Sequence, residues 1–153
     1  MNRAVSILFY MILAFITCVM AANVKPVTAE IGTDAQDRRD AINHVYIAGI
    51  FAVLFIVSAL RFDIGNDYAQ YTLTAHEVYA GGYVVTEAGF NALVKLVYTL
   101  LNREYYEVVF ALFAVVTLLL FLRVFYRDSA CFSQSFFLFM TLGIYFQTFN
   151  TVR

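Results

Sequence analysis

Charge is what this sequence has least of. Asp, Glu, Lys and Arg make up 14% of its 153 residues, against 62% hydrophobic residues and a mean hydropathy of +0.74. A chain of this size cannot cover so much apolar surface with so few polar groups, which excludes a water-soluble globular domain. The charges nearly cancel, to a formal net of -1, and no run of Lys or Arg occurs. There is thus no broad basic field to hold nucleic acid. Cysteine is scarce too: Cys18 and Cys131 lie in or beside apolar stretches with no C-x-x-C spacing, a pattern that predicts buried thiols and no disulfide, redox pair or metal site. His44 and His76 lack a second histidine four residues on, and neither a glycine-rich phosphate loop nor a nucleophile elbow is present. No metal and no cofactor is expected.

What the sequence does contain is four stretches free of charged residues: Ala4 to Ala22, Ala41 to Leu60, Val108 to Leu122 and Ser129 to Val152. Crossing a hydrocarbon core about 30 Å thick takes about 20 helical residues. The third stretch is short, but Tyr105, Tyr106 and Tyr126 can sit at headgroup level and Glu107 can snorkel, which lengthens the span. Lipid offers no partner to a free N–H or C=O, so helices are the expected conformation. A β-barrel fails on pattern, because Ala111 to Leu122 is apolar at every position but Thr117. The reading is all-α: a single polytopic transmembrane helical bundle over 1–153, with spans at about 4–22, 41–60, 106–125 and 131–150. Arg3, the apolar run and Ala21-Ala22 also resemble a secretory signal, but the run exceeds the usual apolar core of one and is read as a retained helix.

Between the first two spans, Asn23 to Asp40 is polar and reads as a solvated loop. Residues 61–105 form a longer outer loop, too polar to cross, rich in tyrosine and glycine and suited to lying on the membrane. Within it Phe90, Leu93, Val94, Val97, Leu100 and Leu101 recur at helical spacing, with Asn91, Lys95 and Asn102 mainly opposite. That predicts an amphipathic juxtamembrane helix; a helix packed against the spans would carry the same pattern. Basic residues nearly balance between the two sides. The arginines crowded near 123–127 favour that side as inner, with the N-terminus and the 61–107 segment outside.

The densest polar cluster follows the second span: Arg61, Asp63, Gly65, Asn66, Asp67, Tyr68 and then Tyr71. An arginine at a membrane boundary can simply snorkel, or pair with Asp63 or Asp67 as a loop clamp. A glycine beside two carboxylates and adjacent tyrosines equally permits a tight turn that sets Asp67 over the membrane beside an aromatic floor.

The pattern Arg-x-x-x-Gly-x-Asp-Tyr-x-x-Tyr, met by Arg61, Gly65, Asp67, Tyr68 and Tyr71, resembles the EpsG family of exopolysaccharide-biosynthesis membrane proteins, relatives of Wzy-type polymerases. Glu87-x-Gly-Phe, with Gly89 and Phe90, and Asn150-x-x-Arg153 extend the likeness over nearly the whole chain. It departs from the family pattern at Asn66, where threonine is commoner, and at Ala88, where proline is. Family members are longer, so the resemblance implies that residues 1–153 are the N-terminal part of a longer polytopic protein. The order of Asp67, Tyr71, Glu87 and the 90–101 helix also looks like the outward loop of GT-C glycosyltransferases, an analogy of architecture only.

The resemblance implies a polysaccharide polymerase or related glycosyltransferase in a bacterial cytoplasmic membrane, joining polyprenyl-pyrophosphate-linked oligosaccharide units. Other exopolysaccharide export proteins would be its partners, together with the lipid bilayer. Such chemistry needs a base for an acceptor hydroxyl and positive charge for a leaving pyrophosphate. Asp67, or alternatively Glu87, would be the base. Arg61 would hold phosphate oxygens, Tyr68 and Tyr71 would contact sugar, and Asn150 and Arg153 would reach the same surface. The competing class is a non-enzymatic polytopic scaffold or transporter piece.

Overall fold

The computed structural model of the protein describes residues 3–25, 33–59, 68–82 and 88–148, and every regular element among them is an α-helix. In chain order these are α1 (Arg3–Ala22), α2 (Thr33–Ala59), α3 (Tyr68–Tyr79), α4 (Ala88–Leu101), α5 (Tyr106–Arg127), α6 (Phe132–Thr141) and α7 (Ile144–Gln147). Among the described residues two helices, in α2 and α5, are long and apolar enough to cross a membrane. At 1.5 Å per residue the 20 residues of α1 extend about 30 Å. The outer surface of these helices is oily: Ile7, Met11, Phe15 and Val19 on α1 and Val116, Leu120 and Val124 on α5 are all exposed, Phe15 by 71%. A surface of that kind suits contact with lipid and is rare on soluble monomers.

Three expectations are corrected. The 23–40 linker is not loop throughout, because α2 begins at Thr33 and its first two turns are polar. Asp34 in the first turn favours the positive end of the helix, Ala35, Gln36, Arg38 and Arg39 are good helix formers, and Asp34 and Arg38 have the i,i+4 spacing of a favourable pair. The 61–105 loop contains two helices: α4, which matches the predicted periodicity, and α3, which was not expected. The span expected at 131–150 is interrupted. After ten residues α6 ends at Thr141, Gly143 takes φ +73°, and α7 follows as a single turn. A left-handed residue cannot continue a right-handed helix, and glycine accepts that conformation without a Cβ penalty.

The chain divides into two compact units, one of residues 1–54 and 118–144, the other of 55–117 and 145–153. In the first, α1 packs on α6. Its interior is aromatic: the Phe139 ring lies 4.7 Å from that of Phe121 and 5.4 Å from that of Phe125. Thr17, fully buried, donates its hydroxyl to the Leu13 carbonyl 2.8 Å away and so needs no partner from outside its helix. Cys18 and Cys131 are free thiols.

A polar latch holds the exit of α1 against α2. Asn43, 1% exposed, accepts the Lys25 N–H through Oδ1 at 3.0 Å and donates Nδ2 to the Lys25 carbonyl at 2.7 Å. One side chain thereby satisfies both backbone groups of a residue that has left its helix. In the second unit, Ala75 and Val78 of α3, Phe90, Val94, Val97 and Tyr98 of α4, and Val109 and Phe110 of α5 form one core.

Asn43→Leu leaves both Lys25 groups unpaired and should destabilise the fold by about 1–3 kcal/mol. Asn43→Asp keeps the acceptor and should cost less. Unfolding in detergent, followed by thiol-dye labelling of Cys18 and Cys131, gives the order directly.

Candidate functional site

Of the residues singled out in the sequence, Arg61, Asp67, Glu87, Asn150 and Arg153 lie outside the described residues. Tyr68 and Tyr71 open α3, which fixes their backbones as helical. The structure does describe the frame that carries these motifs.

One part of that frame is a buried hydrogen bond between Ser58, in the last turn of α2, and Tyr145, in α7, with the two hydroxyl oxygens 3.1 Å apart. Ser58 is 5% exposed and Tyr145 is fully buried. Three residues beyond Ser58 the chain reaches Arg61, and five beyond Tyr145 it reaches Asn150. A hydroxyl in an apolar interior is costly unless it is paired, so the two chain segments are held together where each leads into a motif.

The other part is the α3–α4–α5 platform. Its local stops are encoded in two residue types. Gly81, at φ +76°, ends α3: the Gly82 N–H reaches the Glu77 carbonyl at 2.9 Å and the Gly81 N–H reaches that of Val78 at 3.3 Å. This is a Schellman turn, which ties off the last free carbonyls of the helix. Asn102, at φ +51°, follows the end of α4 in the same left-handed region, which asparagine tolerates better than other side chains do.

Those stops bring the C-terminal end of α3 against that of α4. Tyr79 and Tyr98 meet edge to face, with ring centroids 5.5 Å apart. His76 Nδ1 lies 3.0 and 3.1 Å from the two oxygens of Glu104, in the turn between α4 and α5. The pair is largely exposed, so its contribution is below about 1 kcal/mol. Tyr98 is 4% exposed and its hydroxyl has no hydrogen-bond partner among the described residues. Burial, then the nearby carboxylates of Glu104 and Glu107, pushes its pKa up to about 12.

A second polar corner occupies the first unit. The Tyr126 hydroxyl of α5 donates to Asp40 of α2, and Asn43 Nδ2 approaches the same hydroxyl at 3.4 Å. A cavity of about 460 Å³ opens beside it, lined among others by Lys25, Gln36, Asp37, Asp40 and Ser129. Among the described residues, no group of three or more His, Cys, Asp or Glu is placed to hold a metal ion.

Sequence reading missed α3, Ser58, Tyr145 and the Asp40–Tyr126 corner. Signals for two of them were present. Tyr71, Thr74, Ala75 and Val78 repeat at i, i+3, i+4 and i+7, and Ser58 interrupts an otherwise apolar run. Nothing in the sequence pairs Asp40 with a tyrosine 86 positions away.

The EpsG family model matches residues 44–153. No curated protein and no solved structure matches the chain.

Two outcomes follow from the frame. In a double-mutant cycle, Ser58→Ala and Tyr145→Phe should couple by about 0.6 kcal/mol and by no more than roughly 1.7, the range for hydrogen bonds between membrane helices. For Tyr98, the folded pKa lies above the ordinary 10.0. Between pH 10 and about 12 the unfolded chain therefore releases a proton that the folded chain keeps, and stability falls as pH rises. Tyr98→Phe should leave stability at neutral pH unchanged or higher, since it removes an unpaired hydroxyl, and should flatten that alkaline decline in thermal melts.

Proposed function

The chain belongs to the EpsG family, and from that premise we propose that it takes part in polymerising polysaccharide at a membrane. In this reading α1, α2, α5 and the interrupted α6–α7 pair make four crossings, and the 61–105 segment faces outward. The substrates are polyprenyl-pyrophosphate-linked sugar units. Asp67 takes the proton of an acceptor hydroxyl as its oxygen attacks the anomeric carbon of the donor. The bond from that carbon to the pyrophosphate oxygen breaks, and Arg61 holds the negative charge of the departing polyprenyl pyrophosphate. Glu87 is the alternative base. Tyr68 and Tyr71 offer rings and hydroxyls to sugar, and Asn150 and Arg153 complete the polar surface.

The observation that carries this reading is the buried Ser58–Tyr145 hydrogen bond. It ties together the two stretches of chain that run into Arg61–Asp67 and into Asn150–Arg153.

The test is complementation of a polymer-deficient strain with the full-length gene. Asp67→Asn and Arg61→Ala should each abolish polymer while the protein still reaches the membrane at normal level. Glu87→Gln separates the two candidate bases by whether polymer persists. Polymer of normal length from both Asp67→Asn and Arg61→Ala would sink the catalytic assignment and favour a scaffold or transport role.

A further inference from the structure

A groove of about 580 Å³ runs along the first unit between α2 and α5. That volume falls within the roughly 300–1,000 Å³ typical of small-molecule sites. One wall is His44, Ile47, Ala48 and Phe51 of α2; the other is Leu119, Leu122, Arg123, Tyr126 and Arg127 of α5. Both sets follow the i, i+3, i+4, i+7 spacing of a single helix face. The rings of His44 and Tyr126 lie 5.4 Å apart, which puts the beginning of one stripe beside the end of the other. The two walls therefore change from polar to apolar in the same direction, over about 10 Å. Ala48, small and central, leaves the space between them open.

The polar end carries positive charge. Arg123, Arg127 and His44 are exposed there, and among the described residues neither guanidinium meets a carboxylate. Asp40 is engaged by the Tyr126 hydroxyl and by His44, whose Nδ1 is 3.5 Å away, and it lines the separate 460 Å³ cavity with Asp37. Asp128 follows Arg127 but does not line the groove. An apolar channel that ends, beside the end of a membrane-length helix, in two guanidinium groups meeting no carboxylate among the described residues complements the shape and charge of an anionic amphiphile.

We propose that this groove binds an anionic phospholipid of the surrounding bilayer, with its phosphate between Arg123 and Arg127 and one acyl chain along Ala48, Phe51, Leu119 and Leu122. Guanidinium groups bind phosphate oxygens in a fork, and basic pockets between membrane helices recognise anionic headgroups through that chemistry. The groove shares no residue with the motifs, and the proposal does not depend on the polymerase reading.

The experiment titrates detergent-purified full-length protein with phosphatidylglycerol and with phosphatidylcholine of matched acyl chains, read by native mass spectrometry. Phosphatidylglycerol should bind about tenfold more tightly, and Arg123→Gln with Arg127→Gln should erase that preference. Ala48→Phe, which fills the channel and keeps both arginines, should weaken phosphatidylglycerol to a similar degree. Lysine at both arginine positions should retain most of the preference and controls for folding. Equal binding of the two lipids, an unchanged preference in the glutamine double variant, or full displacement by inorganic phosphate alone would overturn the proposal. So would efficient disulfide capture of a second protein copy through Ala48→Cys in native membranes.

Discussion

A backbone N–H or C=O that enters hydrocarbon has no solvent to bond, and leaving one unpaired costs several kcal/mol. That constraint accounts for the unbroken helices of α2 and α5, and the same need to pair freed backbone groups is met at each helix end. Each interruption comes with its own arrangement for the freed groups. Gly81 and Gly82 fold the end of α3 back on its own carbonyls. Leu142 and Gly143 direct their N–H groups to the carbonyls of Leu138 and Met140. The side chain of Asn43 takes both polar groups of Lys25.

Once the backbone is satisfied, lipid tails are as apolar as leucine, so the hydrophobic effect gives the helices little reason to prefer each other. Close packing and a few side-chain hydrogen bonds decide their arrangement. The interior of the first unit is accordingly a run of phenylalanine rings with one polar corner, Asp40–Asn43–Tyr126. In the second unit the comparable role falls to Ser58 and Tyr145. Both sets are polar residues paired across helices, where an alternative register would leave them without partners.

How much of this the sequence reveals depends on the range of the interaction. Uncharged length and period are local properties, and they locate α1, α2, α4 and α5 with errors of a few residues at α4 and α5. The start of α2 at Thr33 is misread because polarity was taken for loop, when charged residues with good helix propensity extend a span beyond the membrane just as readily. The break at Gly143 is misread because one glycine in an apolar run fits a continuous span as well as a broken one. α3 escapes because its buried face is made of alanine, threonine and valine, which add little hydrophobic contrast. The candidate site is legible in the opposite way. Arg61, Asp67 and Glu87 are proposed from motif spacing, which is local, while Ser58–Tyr145 joins positions 87 residues apart and can be found only in the fold.

The latch at Asn43 also bears on how the protein is made. It joins positions 18 residues apart, and the entropic cost of closing a loop rises only with the logarithm of its length. Tyr126, its other neighbour, lies 83 residues further on. At about 5–20 residues per second, a ribosome reaches Tyr126 roughly 4–17 s after Asn43. The exit of α1 thus has time to be fastened to α2, and α5 arrives to find half of its docking corner already assembled.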